Sequence, residues 1–191
     1  MNDFDNLLAA DGQAFLVENC FDESYLDRLI NELDWEQESI VLLGKKTKVP
    51  RLTAYFGELP YKYSGVLHPS RAFPELIVEL KEIAEQISEF KFNSVLCNRY
   101  RSGGDGMGYH RDNEPEMDKR CIASVTFGYE RKMKFRHRSS KEVIDVLLPD
   151  RSILIMLDCQ DHWEHQIPKS KKTMGERINL TFRRIQELPS A

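Results

Sequence analysis

The chain has 191 residues, of which 41% are hydrophobic and 30% charged, with a formal net charge of −4. That length allows one domain, or one domain with an arm, and the charge balance excludes a wholly basic, histone-like surface. A membrane protein is excluded too, because no stretch reaches the ~18 apolar residues of a bilayer span. The start, Met1-Asn2-Asp3-Phe4-Asp5, is acidic and lacks the basic segment of a secretory signal, so export is not expected. Cys20, Cys97, Cys121 and Cys159 stand apart without a C-x-x-C pair, which fits reduced thiols in a cytosolic or nuclear compartment.

Two helices are legible in the first half. Asp22 can cap a helix whose Tyr25, Leu26, Leu29, Ile30 and Leu33 form one apolar face. A second begins near Pro74 and carries Leu76, Leu80, Ile83, Ala84 and Ile87. Beyond Phe90 the texture changes to short strands: 92–100, 122–129, 132–138, 143–147, 152–157 and 177–183. A helical front followed by many short strands predicts a sandwich or jelly roll buttressed by helices. The whole is expected to be one domain, about 1–90 helical and lid-like and about 91–185 the β core.

The last strand, Arg177-Ile178-Asn179-Leu180-Thr181-Phe182-Arg183, puts its polar residues on one face and its apolar residues on the other. A solvated outer face has the same pattern and, taken alone, is the commoner origin. On the 92–100 strand, Phe92 and Leu96 share a face that turns polar at Asn98 and Tyr100, as at the mouth of a ligand-holding barrel. After the glycine-rich turn at 103–108 comes Tyr109-His110-Arg111-Asp112. On an extended segment His110 and Asp112 point to one side, and with His165 they make the two-histidine, one-carboxylate set of non-haem Fe(II) oxygenases. Zinc is the competitor. Cys159, His162 and His165 are evenly spaced, but in a strand they fall on alternating faces. Zinc hydrolysis at His110, Asp112 and His165 would leave Arg177 and Arg183 without a purpose. An oxygenase that anchors a dicarboxylate needs such a guanidinium, with Asn98 and Tyr100 as further donors.

These residues resemble the AlkB family of Fe(II)/2-oxoglutarate dioxygenases, over about Val49 to Ile185. The resemblance is carried by Pro50-Arg51-Leu52-Thr53-Ala54-Tyr55-Phe56-Gly57, Tyr61-Lys62-Tyr63-Ser64-Gly65, Asn98-Arg99-Tyr100, His110-Arg111-Asp112-Asn113-Glu114, His162-Trp163-Glu164-His165 and the 177–183 strand. It implies an α+β double-stranded β-helix with a nucleotide-recognition lid. It further implies Fe(II) on His110, Asp112 and His165, and O2 and 2-oxoglutarate as co-substrates. The 2-oxoglutarate would be held by Asn98, Tyr100, Arg177, Asn179, Thr181 and Arg183, with Arg183 on the distal carboxylate. Glu114, Tyr61 and Tyr63 match positions near the alkylated base.

The resemblance also implies oxidative demethylation of N1-methyladenine and N3-methylcytosine in DNA or RNA, releasing succinate, CO2 and formaldehyde. The alternatives are a related oxygenase acting on a protein or small molecule, and a non-catalytic nucleic-acid-binding module. Local basic runs support a nucleic-acid substrate: Lys45, Lys46, Lys48 and Arg51; Lys132, Lys134, Arg136 and Arg138 along one strand; Lys169, Lys171 and Lys172. Arg136 is accordingly placed with the substrate contacts. The protein is expected to be a monomer without membrane partners, cytoplasmic or, in a eukaryote, nuclear.

Overall fold

A computed structural model describes residues 4–42, 44–63 and 66–187. The front of the chain runs β1 (Gln13–Val17), α1 (Tyr25–Glu32), β2 (Ser39–Leu42), β3 (Lys45–Lys48), β4 (Leu52–Gly57), β5 (Tyr61–Tyr63), β6 (Val66–His68) and α2 (Glu75–Ser88). The rest is β7 (Ser94–Tyr100), β8 (Met107–His110), β9 (Met117–Gly128), β10 (Arg131–His137), β11 (Val143–Leu148), β12 (Ser152–Leu157), β13 (Trp163–Ile167) and β14 (Arg177–Ile185).

Both helices form where the apolar spacing places them. Asp22 Oδ1 accepts the Ser24 N–H at 2.9 Å just ahead of α1, and Pro74 precedes the first residue of α2. Arg28 grips Glu79 through both carboxylate oxygens, at 2.9 and 3.1 Å, and so ties the two helices together. Glu85 closes α2 onto the sheet, accepting from Lys81 at 2.7 Å, Lys91 at 2.6 Å and the Phe92 N–H at 3.0 Å.

The strands make a six-stranded sheet, β1-β12-β9-β14-β7-β4, facing a four-stranded one, β11-β10-β13-β8. Every pairing in both is antiparallel, and the two sheets form the jelly roll. The front is therefore not purely helical. β1 and β4 lie at the two edges of the larger sheet, and β2–β3 and β5–β6 are separate hairpins.

The period-2 alternation of β7 and β14 divides the interior into two cores. Val95, Cys97, Ile178, Leu180 and Phe182 pack against Leu29, Leu76 and Leu80 of the helices. Leu96 and Tyr100 instead face Ile122, Phe135, Leu154 and Trp163 between the sheets. Phe92 does not share the face of Leu96. It precedes the strand and joins the helix-side core, its ring 6.1 Å from that of Phe182. Arg177, Asn179, Thr181 and Arg183 all point inward and are buried, so the polar face of β14 is not a solvated one.

Candidate active site

His110 and His165 stand opposite each other where β8 pairs with β13, and their ring centroids lie 4.3 Å apart. The alternation of β13 turns Trp163, His165 and Ile167 inward. His110 Nδ1 lies 2.9 Å from the Gly108 carbonyl, so it carries the proton and leaves Nε2 as the free lone pair. Asp112 is fully buried and held at both ends. Its N–H donates to Gln160 Oε1 at 3.0 Å, and its Oδ1 accepts from Arg183 Nη2 at 2.7 Å.

The electrostatics suit a cation between these three side chains. Burial lowers the His110 imidazole and, with His110 beside it, holds His165 down to about 3, so both rings are neutral as metal ligands must be. Burial would raise the Asp112 carboxyl, but Arg183 and the two imidazoles keep it below its ordinary value. Asp112 Oδ2 and His165 Nδ1 are buried with no hydrogen-bond partner among the described residues. Buried polar atoms without partners are costly, and a cation shared by a carboxylate and two imidazoles is the chemistry that offsets that cost.

A small enclosed cavity adjoins these residues, walled also by Asn98, Tyr100, Asn179, Thr181, Arg183 and the thioethers of Met107, Met133 and Met156. Arg51 Nε donates to Asn98 Oδ1 at 2.7 Å, and Thr181 Oγ1 to Asn179 Oδ1 at 3.0 Å. Arg177 is fully buried beside Tyr100, 5.3 Å from its ring, and Nη2 donates to Thr126 Oγ1 at 2.9 Å. Its Nε and Nη1 have no partner among the described residues, and burial pushes the guanidinium down to about 10.

Several expectations are revised by this geometry. Arg183 is bonded to Asp112 itself, so it is poorly placed to receive the far end of a dicarboxylate. Tyr61 is buried, stacked 5.8 Å from Tyr55, and its hydroxyl faces Glu114; burial raises the Glu114 carboxyl. The side chain of Tyr63 lies outside the described residues. Arg136 pairs with Glu164 and lies 3.9 Å over the Tyr109 ring, while Lys132 and Lys134 share Asp145 at 2.8 and 2.9 Å. That strand's cations are thus partly offset, Arg136 by one carboxylate and the two lysines by another. Gln160 and Arg51, which orient Asp112 and Asn98, carried no signal as site residues because a lone Gln or Arg has no chemical spacing to betray it.

The zinc-like spacing of Cys159, His162 and His165 is not realised. Cys159 is buried and accepts from Gln160, His165 faces inward, and His162 is exposed beside His137. The ligand atoms of Asp11, His137 and His162 do lie within 4.8 Å of one another. However, the Ser140 N–H donates to His137 Nδ1 at 3.1 Å, which leaves the proton on Nε2, donated to Asp11 Oδ2 at 3.1 Å. A ligating histidine has the opposite polarity, its second nitrogen acting as donor. The pair is a hydrogen-bonded clasp that, with Trp163 Nε1 donating to the Ala10 carbonyl at 2.9 Å, fastens the N-terminal segment.

A jelly roll with His-x-Asp and a distant histidine inside it, beside buried arginines on the last strand, defines the non-haem Fe(II) oxygenase class. The chain belongs to the 2OG-Fe(II) oxygenase superfamily, whose family model matches residues 13–183. Fe(II), 2-oxoglutarate and O2 are the cofactor and co-substrates of that family. The chain is 34% identical to the bovine alpha-ketoglutarate-dependent dioxygenase alkB homolog 3 over 180 residues, covering 87% of itself and 63% of that protein. It is 33% identical to the human DNA oxidative demethylase ALKBH2, covering 86% and 70%, and 32% identical to the mouse protein of that name, covering 93% and 82%. The solved structure of OsALKBH1 superposes with a TM-score of 0.64 at 17% identity, over 90% of this chain and 97% of that one, and shows the shared fold. No helix among the described residues is long and apolar enough to cross a membrane.

Proposed function

We propose that this protein is an oxidative demethylase of alkylated nucleic-acid bases, acting on N1-methyladenine and N3-methylcytosine. The observation that carries the reading is the convergence of His110, Asp112 and His165 with Asn179, Thr181 and Arg183 of β14 on one cavity. Relatives named DNA oxidative demethylases supply the substrate class. Bound Fe(II), with O2 and 2-oxoglutarate, supplies the oxidant that hydroxylates the methyl carbon, and 2-oxoglutarate leaves as succinate and CO2.

The protein's part is binding and orientation. His110, Asp112 and His165 would hold the metal through two imidazole nitrogens and a carboxylate oxygen. Arg183 keeps Asp112 ionised and turned, and Oδ2 is the oxygen that would meet the metal. Arg177, at the other end of the row, takes the distal carboxylate of 2-oxoglutarate through Nε and Nη1, which lack partners among the described residues. Asn98, Tyr100, Asn179 and Thr181 line the space between. Formaldehyde departs from the hydroxylated methyl group, restoring the base.

The test is succinate and formaldehyde release with single- and double-stranded oligonucleotides, DNA and RNA, carrying either lesion. Stoichiometric release that is lost in Asp112→Ala is the expected result. Turnover of 2-oxoglutarate unaffected by every oligonucleotide would transfer the reading to a protein or small-molecule substrate.

A further inference from the structure

A second, more open cavity of about 420 Å3 adjoins the first across His110 and Met107. Ile40, Val49 and Pro50 make it apolar on one side, Tyr109 adds an aromatic wall, and it carries two charged side chains, Glu38 and Arg51. Arg51 is 6% exposed, and its Nε is engaged with Asn98. Glu38 is therefore the carboxylate that the wall presents, among the described residues.

Glu38 is fixed in that position. Its carbonyl accepts the Val49 N–H at 2.9 Å, and the Gln37 side chain donates to the Val49 carbonyl at 3.1 Å. His68 Nδ1 lies 3.4 Å from Glu38 Oε1, and the imidazole is buried, its ring 5.2 Å from that of Tyr55 and 6.4 Å from that of Tyr61. Burial holds His68 below its ordinary value against the pull of Glu38, so the neutral ring packs beside the carboxylate and leaves it its charge. Glu114, by contrast, faces Tyr61 and does not line this cavity.

An apolar cavity with one aromatic wall and one carboxylate suits a planar organic cation. We propose that Glu38 is a specificity-determining residue that selects cationic N-methylated bases over neutral ones in this cavity. The inference rests on the demethylase reading and adds the group that distinguishes the lesions. N3-methylcytosine and N1-methyladenine carry a positive charge and an exocyclic amino donor; N3-methylthymine has nearly the shape of N3-methylcytosine but neither of these. A carboxylate acceptor favours the first pair through a charge-assisted hydrogen bond.

The experiment compares otherwise identical oligonucleotides bearing N3-methylcytosine or N3-methylthymine, by equilibrium binding and by kcat/KM, in wild type, Glu38→Gln and Glu38→Asp. Glu38→Gln should lower the cytosine-to-thymine preference roughly tenfold or more, the scale of a lost bond to a charged group. It should do so while leaving the thymine lesion and the 2-oxoglutarate affinity within about twofold. Glu38→Asp, which keeps the charge, should retain part of the preference. An unchanged preference in Glu38→Gln, or an equal loss on both lesions, would overturn the proposal, as would a wild type that binds the two lesions equally. Selective binding without turnover in wild type would reject the demethylase reading and leave the role of Glu38 standing.

Discussion

Arg177 and Arg183 leave the same face of β14, yet their surroundings give them opposite energetics. Arg183 neutralises a buried carboxylate, so removing it strands Asp112 as an unpaired buried charge. Arg183→Met should cost about 3–5 kcal/mol of ligand-free stability. Arg177 has two nitrogens without partners among the described residues, and burial already weakens its ionised form. Arg177→Met should leave the melting temperature of the ligand-free protein unchanged or higher while weakening 2-oxoglutarate binding by about 2–5 kcal/mol. Melting curves and titration of 2-oxoglutarate under anaerobic conditions separate the two. A fall in melting temperature for Arg177→Met, with 2-oxoglutarate affinity intact, would return the anchor to Arg183. The resemblance puts Arg183 on the distal carboxylate, but both arginines belong to one motif and only the partner of each reveals its duty.

At the level of elements, Glu85 joins the last turns of α2 to the start of β7, and it belongs to neither hydrophobic pattern. Burial works against its ionised form, but two ammonium groups and the Phe92 N–H outweigh this and lower the carboxyl below its ordinary 4.5. A carboxyl depressed in the folded state stabilises fully above its unfolded value and loses that contribution as pH falls through the folded one. Glu85→Ala should therefore cost about 2–3 kcal/mol near neutrality, and its deficit relative to wild type should shrink below about pH 4. Denaturant unfolding at neutral and acidic pH measures this; a constant deficit would mean that Glu85 acts through packing alone.

The elements that sequence exposes best are those with a clean period. β12 spans 152–157 as its pattern predicts, and β7, β10, β11 and β14 lie within two residues of theirs. β9 extends five residues further toward the N-terminus, to Met117. β8 and β13, which carry two of the candidate ligands, are only four and five residues long and sit among turn-forming residues, so they escape notice. β4 is buried along nearly its whole length and shows no alternation, because α2 covers one side and the inter-sheet core the other. Its membership in the larger sheet is a tertiary fact. The metal set and the dicarboxylate row were legible because that chemistry demands particular side chains at strand spacing. Glu38 and Gln160 were not, since they reach the site through long-range pairing.

For the molecule as a whole, ligand binding and folding are coupled through the inter-sheet core, where His110, His165 and β14 meet. Any ligand that binds only the folded state adds stability in proportion to its excess over Kd, about 2.7 kcal/mol at a hundredfold excess. Mn(II), as a redox-inert surrogate, should raise the melting temperature, and 2-oxoglutarate should raise it further only when Mn(II) is present. Asp112→Ala should abolish both increments and Arg177→Met the second alone. A 2-oxoglutarate increment without metal would show that the dicarboxylate binds independently of the His110–Asp112–His165 set.

The alternation of β14 places two kinds of selection on adjacent residues. Ile178, Leu180 and Phe182 answer to the helices behind the sheet, whereas Asn179, Thr181 and Arg183 answer to the cavity in front of it and Arg177 is buried on the same side. Trimming one of the first group shortens the protein's lifetime without redirecting its chemistry, because the strand keeps its register through β7 and β9. The apolar positions of this nine-residue strand thus set durability with little bearing on reactivity, whereas Arg183 bears on both. A chain adapted to a hotter habitat would differ at the even positions of β14 and keep the odd ones.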